Sequence, residues 1–423
     1  MTEVLGTVLP GNWTASRLKR VTSLLNRGSA PDYVDDGPVR AISQAANQPG
    51  GLDWARTRFH DATGDPRRLK GYLLPEDILI NSTGTGTLGR IGYFQGGPDE
   101  VPCMADTHVT VARAIPSEVD SRFLYYWLSS IPFQEYIYAA LVVGATNQIE
   151  LNRDRLGDAP VPLPPAEEQG RISGFLDAEV ARIDAVMGIR GNRQGSLLHM
   201  RRAGALAKVF GQAASSAPTR LKYLLSNKPR YGVLVPEFAD AGVPFVRVND
   251  LLDLRGRAAT LVRIPEALSQ QYARTRVQPN DILLSVVGTL GRAALAPAEL
   301  EGANVARAVA SLRVRHDVDP GLFIRWIETA DFMRQALDAT GSDTAQPTLG
   351  MEDLANFNLR WPTDAHEQRR LAEEVEEVAK HHDELAACYE KQIRLLAERR
   401  RALITAAVTG QIDVTTARGV RVP

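Results

Sequence analysis

Residues 75–90 read PEDILINSTGTGTLGR, and residues 279–292 read PNDILLSVVGTLGR. Each begins with a proline, passes through an aspartate into a short Ile/Leu run, and closes on GTLGR. An apolar run after a Pro/Asn turn signal predicts a strand. The closing glycines predict a tight turn whose residues take positive φ. Working outward, the match widens. Arg17-Leu18-Lys19 stands near the first start and Arg220-Leu221-Lys222 near the second. Downstream, Trp127 pairs with Trp326, Phe133 with Phe332, Gln148-x-x-Leu151 with Gln346-x-x-Leu349, and Glu168-Gln169 with Glu367-Gln368. RRAGALAKVFGQ (201–212) then matches RRALITAAVTGQ (400–411). The offset runs only from 204 (Asp77 to Asp281) to 198 (Gln148 to Gln346), so the order is kept throughout. Such a series predicts a tandem pseudo-repeat.

Each copy has two parts. The first is rich in short β-type stretches (DILI and HVTVARA, DILL and ASLRVR) broken by Gly, Pro and Asn, with one helical piece. The second part is helical. PPAEEQ (164–169) opens it in the first copy, with prolines and acids placed where a helix N-terminus favours them. Asp364-x-x-Glu367 opens it in the second copy as a capping box with Asp as the cap. A heptad seam is expected through Leu371, Val375, Val378, His382, Leu385, Tyr389, Gln392, Leu396, Arg399 and Leu403. Its counterpart runs through Ile172, Leu176, Glu179, Ile183, Val186, Arg190, Arg193 and Leu197. At ~1.5 Å per residue such a helix is a rod of roughly 65 Å. The fold class expected is α+β, in the order globe, rod, globe, rod.

Composition excludes more than it selects. The 423 residues are 44% hydrophobic and 23% charged, ordinary for a globular chain. No apolar run reaches the roughly 18 residues that span a bilayer, and no secretory leader is expected. Cys103 and Cys388 lie far apart without partners at metal spacing, so neither a zinc site nor a disulfide framework is expected, and a cytoplasmic setting is. Net charge is −1, yet only seven of the 49 basic residues are lysine. The other 42 are arginine, whose planar fork suits phosphates and guanine edges.

Catalytic motifs are scarce. Gly84-Thr-Gly86-Thr-Leu-Gly89 is a formal GxGxxG, but IGYFQGGPDEVP follows it and cannot be the helix that a dinucleotide site needs. Arg90-Ile91 stands where a Walker A loop requires Lys-Ser/Thr. There is no nucleophile elbow, no HExxH, no zinc-deaminase spacing, and no methyltransferase signature. His381-His382 lies on the helical seam and is expected to be structural. The chain is not expected to be an enzyme.

Three features together carry a family resemblance: PxDIL followed by GTLGR in both globes, NQIELNRDRLGDAPVPLPPAEEQGRI (147–172), and RRRALITAAVTGQIDV (399–414). The sequence resembles the specificity subunit of type I restriction–modification systems over nearly its whole length. The resemblance implies two strand-rich target recognition domains separated by two long helices that form an antiparallel coiled coil. On that basis, recognition domains are expected at 1–164 and 213–363, spacer helices at 165–212 and 364–410, and a C-terminal tail at 411–423. It implies a reader of double-stranded DNA in which each domain reads half of a bipartite, asymmetric site. The partners implied are two methyltransferase subunits and restriction subunits, with no membrane. S-adenosylmethionine is implied on the methyltransferase, ATP and Mg on the restriction subunit, and no cofactor or metal on this chain. NFNLRWPTDAHEQRRL (356–371) departs from the pattern by keeping one proline of the Pro-Pro. A coiled-coil scaffold for an unrelated protein complex is the alternative.

Base readout needs exposed polar or cationic side chains on groove-facing loops. The candidates are Arg56, Arg58, Lys70, Asn81, Ser82, Thr83, Arg90, Thr146 and Asn147 in the first copy. In the second they are Arg247, Asn249, Arg274, Arg276, Ser285, Arg292, Thr344 and Gln346. Residues shared by both copies are expected to serve structure or phosphates. Residues that differ, Asn81-Ser82-Thr83 against Ser285-Val286-Val287, are expected to discriminate bases. Arg58 in ARTRF and Arg276 in ARTRV share a place shortly before the PxDIL strand, and alanine at either is expected to cost one half-site about 1–3 kcal/mol.

Overall fold

The computed structural model describes residues 2–84, 86–143, 149–188, 194–213, 216–340 and 347–414. The fold is mixed α+β. The chain divides into two compact units: Met1–Arg190 with Lys391–Pro423, and Gly191–Glu390.

In the first unit, Ile78–Asn81 is the inner strand of an antiparallel sheet ordered Ile91–Tyr93, Ile78–Asn81, Val109–Ala114, Thr22–Arg27. Ile78, Leu79 and Ile80 are all fully buried, because the strand is covered on both faces. Ile78 and Ile80 join Trp127 and Phe133 in one apolar cluster, and Leu79 joins Val109 and Val111 in another. A second sheet runs Cys103–Ala105, Val39–Ile42, Arg58–His60, Tyr33–Val34, with the first pair parallel.

The second unit has the same order around Ile282–Ser285: Ala293–Leu295, Ile282–Ser285, Val309–Leu312, Arg230–Tyr231. Its smaller sheet places Val243–Val246 between Arg263–Ile264 and a parallel Asn304–Val305.

The aspartate of PxDI explains why this turn recurs. Glu76 and Asn280, just before it, have φ of 74° and 66°, which reverses the chain. Asp77 then accepts the Leu74 N–H at 2.8 Å, and Asp281 accepts the Gln278 N–H at 2.8 Å. Both carboxylates are buried, and each is matched by an arginine from the neighbouring strand. Arg113 donates to Asp77 at 2.7 Å twice, and Arg313 to Asp281 at 2.7 and 2.8 Å. These bonds raise both guanidinium pKa values, against burial that lowers them.

The Glu-Gln motif ties each helix start to its globe. Gln169 accepts the Asp120 N–H at 2.8 Å and donates to Pro164 O at 2.9 Å. Gln368 accepts the Asp319 N–H at 2.8 Å and donates to Asp317 O at 2.7 Å. The helices begin at Ala166 and Ala365, the latter capped by Asp364 through the His366 and Glu367 N–H groups. Ala166–Gly188 and Gln194–Gln212 make up the first helical region, and Ala365–Val408 is one helix of 44 residues.

Within the first unit, Ile172, Leu176 and Val180 share a core with Ile404, Ala407 and Val408, and Arg400 pairs with Asp184 at 2.9 Å. Within the second, Leu206 and Phe210 pack with Leu371, Val375 and Ala379, and Arg202 pairs with Asp383 at 3.1 Å.

The buried stripe follows the expected seam at six of its ten positions and slips by a residue at the other four. Ala379, Arg400 and Ile404 turn inward where Val378, Arg399 and Leu403 were expected, and Leu385 is exposed. Two successive four-residue steps, Leu371 to Val375 to Ala379, rotate the apolar stripe ahead of a strict alternation of 4 and 3. Val186 and Leu197 on the first seam are also exposed. Arg190 and Arg193 lie outside the described residues.

Candidate nucleic-acid interface

The two repeated turns build one edge in each unit. After Ile78–Asn81 the chain enters a turn with Gly84, Gly86 and Gly89 at φ of 96°, 83° and 80°, then returns as the strand Ile91–Tyr93. Gly288 and Gly291 repeat this at 73° and 79°. A strand, not a helix, follows the glycines, so the formal GxGxxG has no helix N-terminus to offer a pyrophosphate.

Beside that turn, the Ser82 N–H donates to His108 O at 2.8 Å and the Leu151 N–H to Ser82 O at 2.9 Å. In the second unit the Val286 N–H donates to Ala308 O at 2.9 Å and the Leu349 N–H to Val286 O at 2.8 Å. Thr83 bridges Glu150, and Val287 bridges Thr348. Thr83 and Val287 therefore hold one position, as do His108 and Ala308, and Thr107 and Arg307.

The side chains at these matched positions differ in kind. In the first unit, Thr83 Oγ1 lies 2.7 Å from His108 Nδ1, and Thr83 and Thr87 both donate to Gln44 Oε1, at 3.3 and 3.2 Å. Gln44 is thereby held by its oxygen, and its amide N–H groups have no protein acceptor among the described residues. His108 is exposed. In the second unit the place of Thr83 is apolar, and an exposed Arg307 projects where the first unit has Thr107. Its guanidinium meets no acid among the described residues. Amide donors, imidazole and guanidinium are the groups that read base edges.

The expected candidates distribute unevenly over this surface. Asn81, Ser82 and Ser285 are fully buried. Asn81 is bonded to Asn47 and to Gln44 O at 3.0 Å each, Ser82 to Thr110, and Ser285 to Thr289 O. Their difference between copies belongs to the packed strand end, which corrects the expectation that they face a groove. Thr83 alone of its triplet reaches the edge. Arg90 donates to Asn47 O at 2.9 Å and Gln48 Oε1 at 3.2 Å, holding the turn against the 43–48 segment. Ser285 holds its turn by accepting the Arg292 N–H at 3.0 Å, while the Arg292 side chain is half-buried.

Arg56 is exposed and pairs with Asp53 at 2.9 Å; Lys70 is exposed. Arg58 lies on the strand Arg58–His60 with its guanidinium 4.1 Å above the Tyr33 ring. Arg276 follows the turn Ala273–Thr275 and pairs with Glu266 at 2.6 Å. The ARTR match therefore does not put them in one structural place: Arg58 is in a sheet strand, and Arg276 follows a helical turn. Arg274 and Asn249 are exposed. Arg247 pairs with Asp250 at 3.2 Å. Burial pushes the Asp250 carboxyl up, but bonds from Arg247 and Arg257 outweigh it and hold the group below its usual range. Thr146, Asn147, Thr344 and Gln346 lie outside the described residues.

Gln44, Thr87, His108 and Arg307 escaped the sequence reading. The signal was present: His108 and Arg307 stand immediately before the matched VTVAR and just ahead of VASLR, and a strand alignment there would have exposed them.

Residues 37–189 match the family described as type I restriction modification DNA specificity domain. The type I restriction enzyme EcoBI specificity subunit of Escherichia coli is 24% identical over 355 residues, 75% of this chain and 74% of that protein. The putative type I restriction enzyme MjaX specificity subunit of Methanocaldococcus jannaschii is 19% identical over 434 residues, covering 96% and 95%. In fold, the chain is similar to a chain from a structure described as "Structural basis underlying complex assembly and conformational transition of the type I R-M system". That likeness has a TM-score of 0.63 at 20% identity and covers 96% of this chain and 100% of the other. Residues 37–189 thus match the type I restriction modification DNA specificity domain family, and the chain over most of its length is similar to type I restriction enzyme specificity subunits.

Proposed function

We propose that this chain is the non-catalytic, DNA-reading subunit of a type I restriction–modification complex. Each unit reads one half of a bipartite, asymmetric site in double-stranded DNA. The observation that carries this is a recurring sheet edge with different side chains: Gln44, Thr83 and His108 in one unit, Val287 and Arg307 in the other. A shared scaffold with altered readers is what a split site with unlike halves requires. The recurrence of strand order, buried Asp–Arg pair and helix-start glutamine supports a tandem pseudo-repeat. We read the long helices as an antiparallel coiled-coil spacer, supported by the pairs Asp184–Arg400 and Arg202–Asp383.

The recognition domains are taken as 1–164 and 213–363, with spacers at 165–212 and 364–410. Two methyltransferase subunits would carry S-adenosylmethionine and perform adenine methylation, and restriction subunits would carry ATP and Mg. No described helix is long and apolar enough to cross a membrane. We place the complex in the cytoplasm with its DNA. The scaffold alternative is disfavoured because the matched family is described by DNA specificity.

A methylome comparison between the source cell and a strain lacking this chain tests the proposal. Loss of one bipartite methylated-adenine motif is expected. If the methylome is unchanged and the chain reconstituted with its methyltransferase shows no sequence preference, the proposal falls.

A further inference from the structure

The second unit carries a concentration of positive charge beyond its reading edge. A cleft of about 20 Å³, room for one water-sized group, is lined by Lys228, Arg230, Arg274, Arg276 and Arg313 with Asn227 among its polar neighbours. No carboxylate lines it. Two of the five cations are already matched: Arg313 by buried Asp281, Arg276 by Glu266. The exposed side chains of Lys228, Arg230 and Arg274 meet no acid among the described residues. Three uncompensated charges around one cleft repel each other, and an anion in its mouth would relieve that repulsion.

The cleft is also rigidly held. Arg230 sits in a strand opposite Ser311, and Arg274 sits in the turn Ala273–Thr275 that leads into the Ile282–Ser285 strand. Tyr231, next to Arg230, donates its hydroxyl to Leu349 O at 2.8 Å, and the Arg307 N–H donates to Val233 O at 2.9 Å. The cleft and the reading edge therefore share one stretch of chain. The first unit has no cation at the places of Lys228 and Arg230. Asn26 stands opposite Val111 where Arg230 stands opposite Ser311, and Leu24, two residues before it, packs on an apolar cluster.

We propose that Lys228, Arg230 and Arg274 at the mouth of this cleft anchor a backbone phosphate of duplex DNA beside the half-site read by the second unit. The inference rests on the DNA-reading proposal and adds an asymmetry to it. The first unit would hold its half-site without this anchor.

The full-length chain and a K228Q/R230Q/R274Q variant are compared on a duplex carrying the methylated motif and on a scrambled duplex, from about 50 to 200 mM salt. A charge-matched control, R20Q/R394Q/R401Q, removes three exposed arginines elsewhere. The slope of log affinity against log salt should become shallower by about 0.9 in the cleft variant, the value for one lost phosphate contact. Preference for the motif over the scrambled duplex should be unchanged. A slope change no larger than the control's overturns the anchor. So does stabilisation of the wild-type chain, but not the cleft variant, by inorganic phosphate when their DNA slopes are equal, since the cleft then serves a small anion. A wild-type chain that fails to prefer the motif overturns sequence reading instead, and the slope comparison on scrambled duplex still decides the cleft.

Discussion

Asp77 and Asp281 show how much one side chain organises in this fold. Each closes the turn after a positive-φ residue and neutralises an arginine on the next strand. Asp77 is fully buried while Arg113 keeps 29% of its side chain exposed. Removing the carboxylate strands a partly desolvated cation, so Asp77→Ala should cost the first unit about 3 kcal/mol, toward the low end for a broken buried pair. Urea titration would check it, and a loss below about 1 kcal/mol would mean that water reaches Arg113 freely.

Cys103 gives a second residue-scale test. Burial pushes its thiol up to about 11, so at pH 8 it is almost wholly protonated and unreactive. Cys388 is exposed. The native chain should therefore release one equivalent of thiol to a disulfide reagent at pH 8 and two in urea. The PxDI pattern was legible because proline, aspartate and an Ile/Leu run each have a local conformational meaning. The matching arginines were not, because they lie 36 and 32 residues downstream.

At the scale of elements, the helix starts depend on one glutamine each. Gln169→Ala would leave the half-buried Asp120 N–H and the buried Pro164 O without their bonds. We expect a loss of about 2 kcal/mol and increased hydrogen exchange at residues 166–173. Unchanged exchange there would assign the fastening to the apolar contacts of Ile172 and Leu176 instead. Those contacts have their own cost: Ile404→Ala, which opens a cavity against the 172–180 segment, should lose about 2–5 kcal/mol by thermal unfolding. The helices themselves were legible from caps and periodicity. The places where the buried stripe slips by a residue were not, because Val378 and Ala379 are both apolar and only the packed neighbours decide which turns inward.

At the scale of the molecule, the two reading edges should act on different halves of the DNA site. His108→Ala should relax one half of the methylated motif, and Arg307→Ala the other, each costing about 1–3 kcal/mol at the affected bases. The methylated motif of each variant strain reports this directly. Relaxation of the same half by both variants, or an equal loss on every sequence, would rule out separate base reading by the two edges. Lysine and arginine counts could not locate these edges, since the net charge of −1 averages over local surfaces that differ sharply.

The sequence alone determined the α+β class, the repeated turn-strand-turn, the helix starts and the family resemblance. All of these rest on residues close together in the chain, where spacing encodes geometry. Which side chains face outward was decided by tertiary structure. Asn81 and Ser82 look like readers in a line of text, but the 43–48 segment and the Val109–Ala114 strand enclose them and satisfy their hydrogen bonds. His108 and Arg307 look ordinary, yet strand pairing brings them to the rim beside Thr83 and Val287. A polar group is available to a ligand only when the fold has left its hydrogen-bonding capacity unspent, and pairings between distant segments decide that.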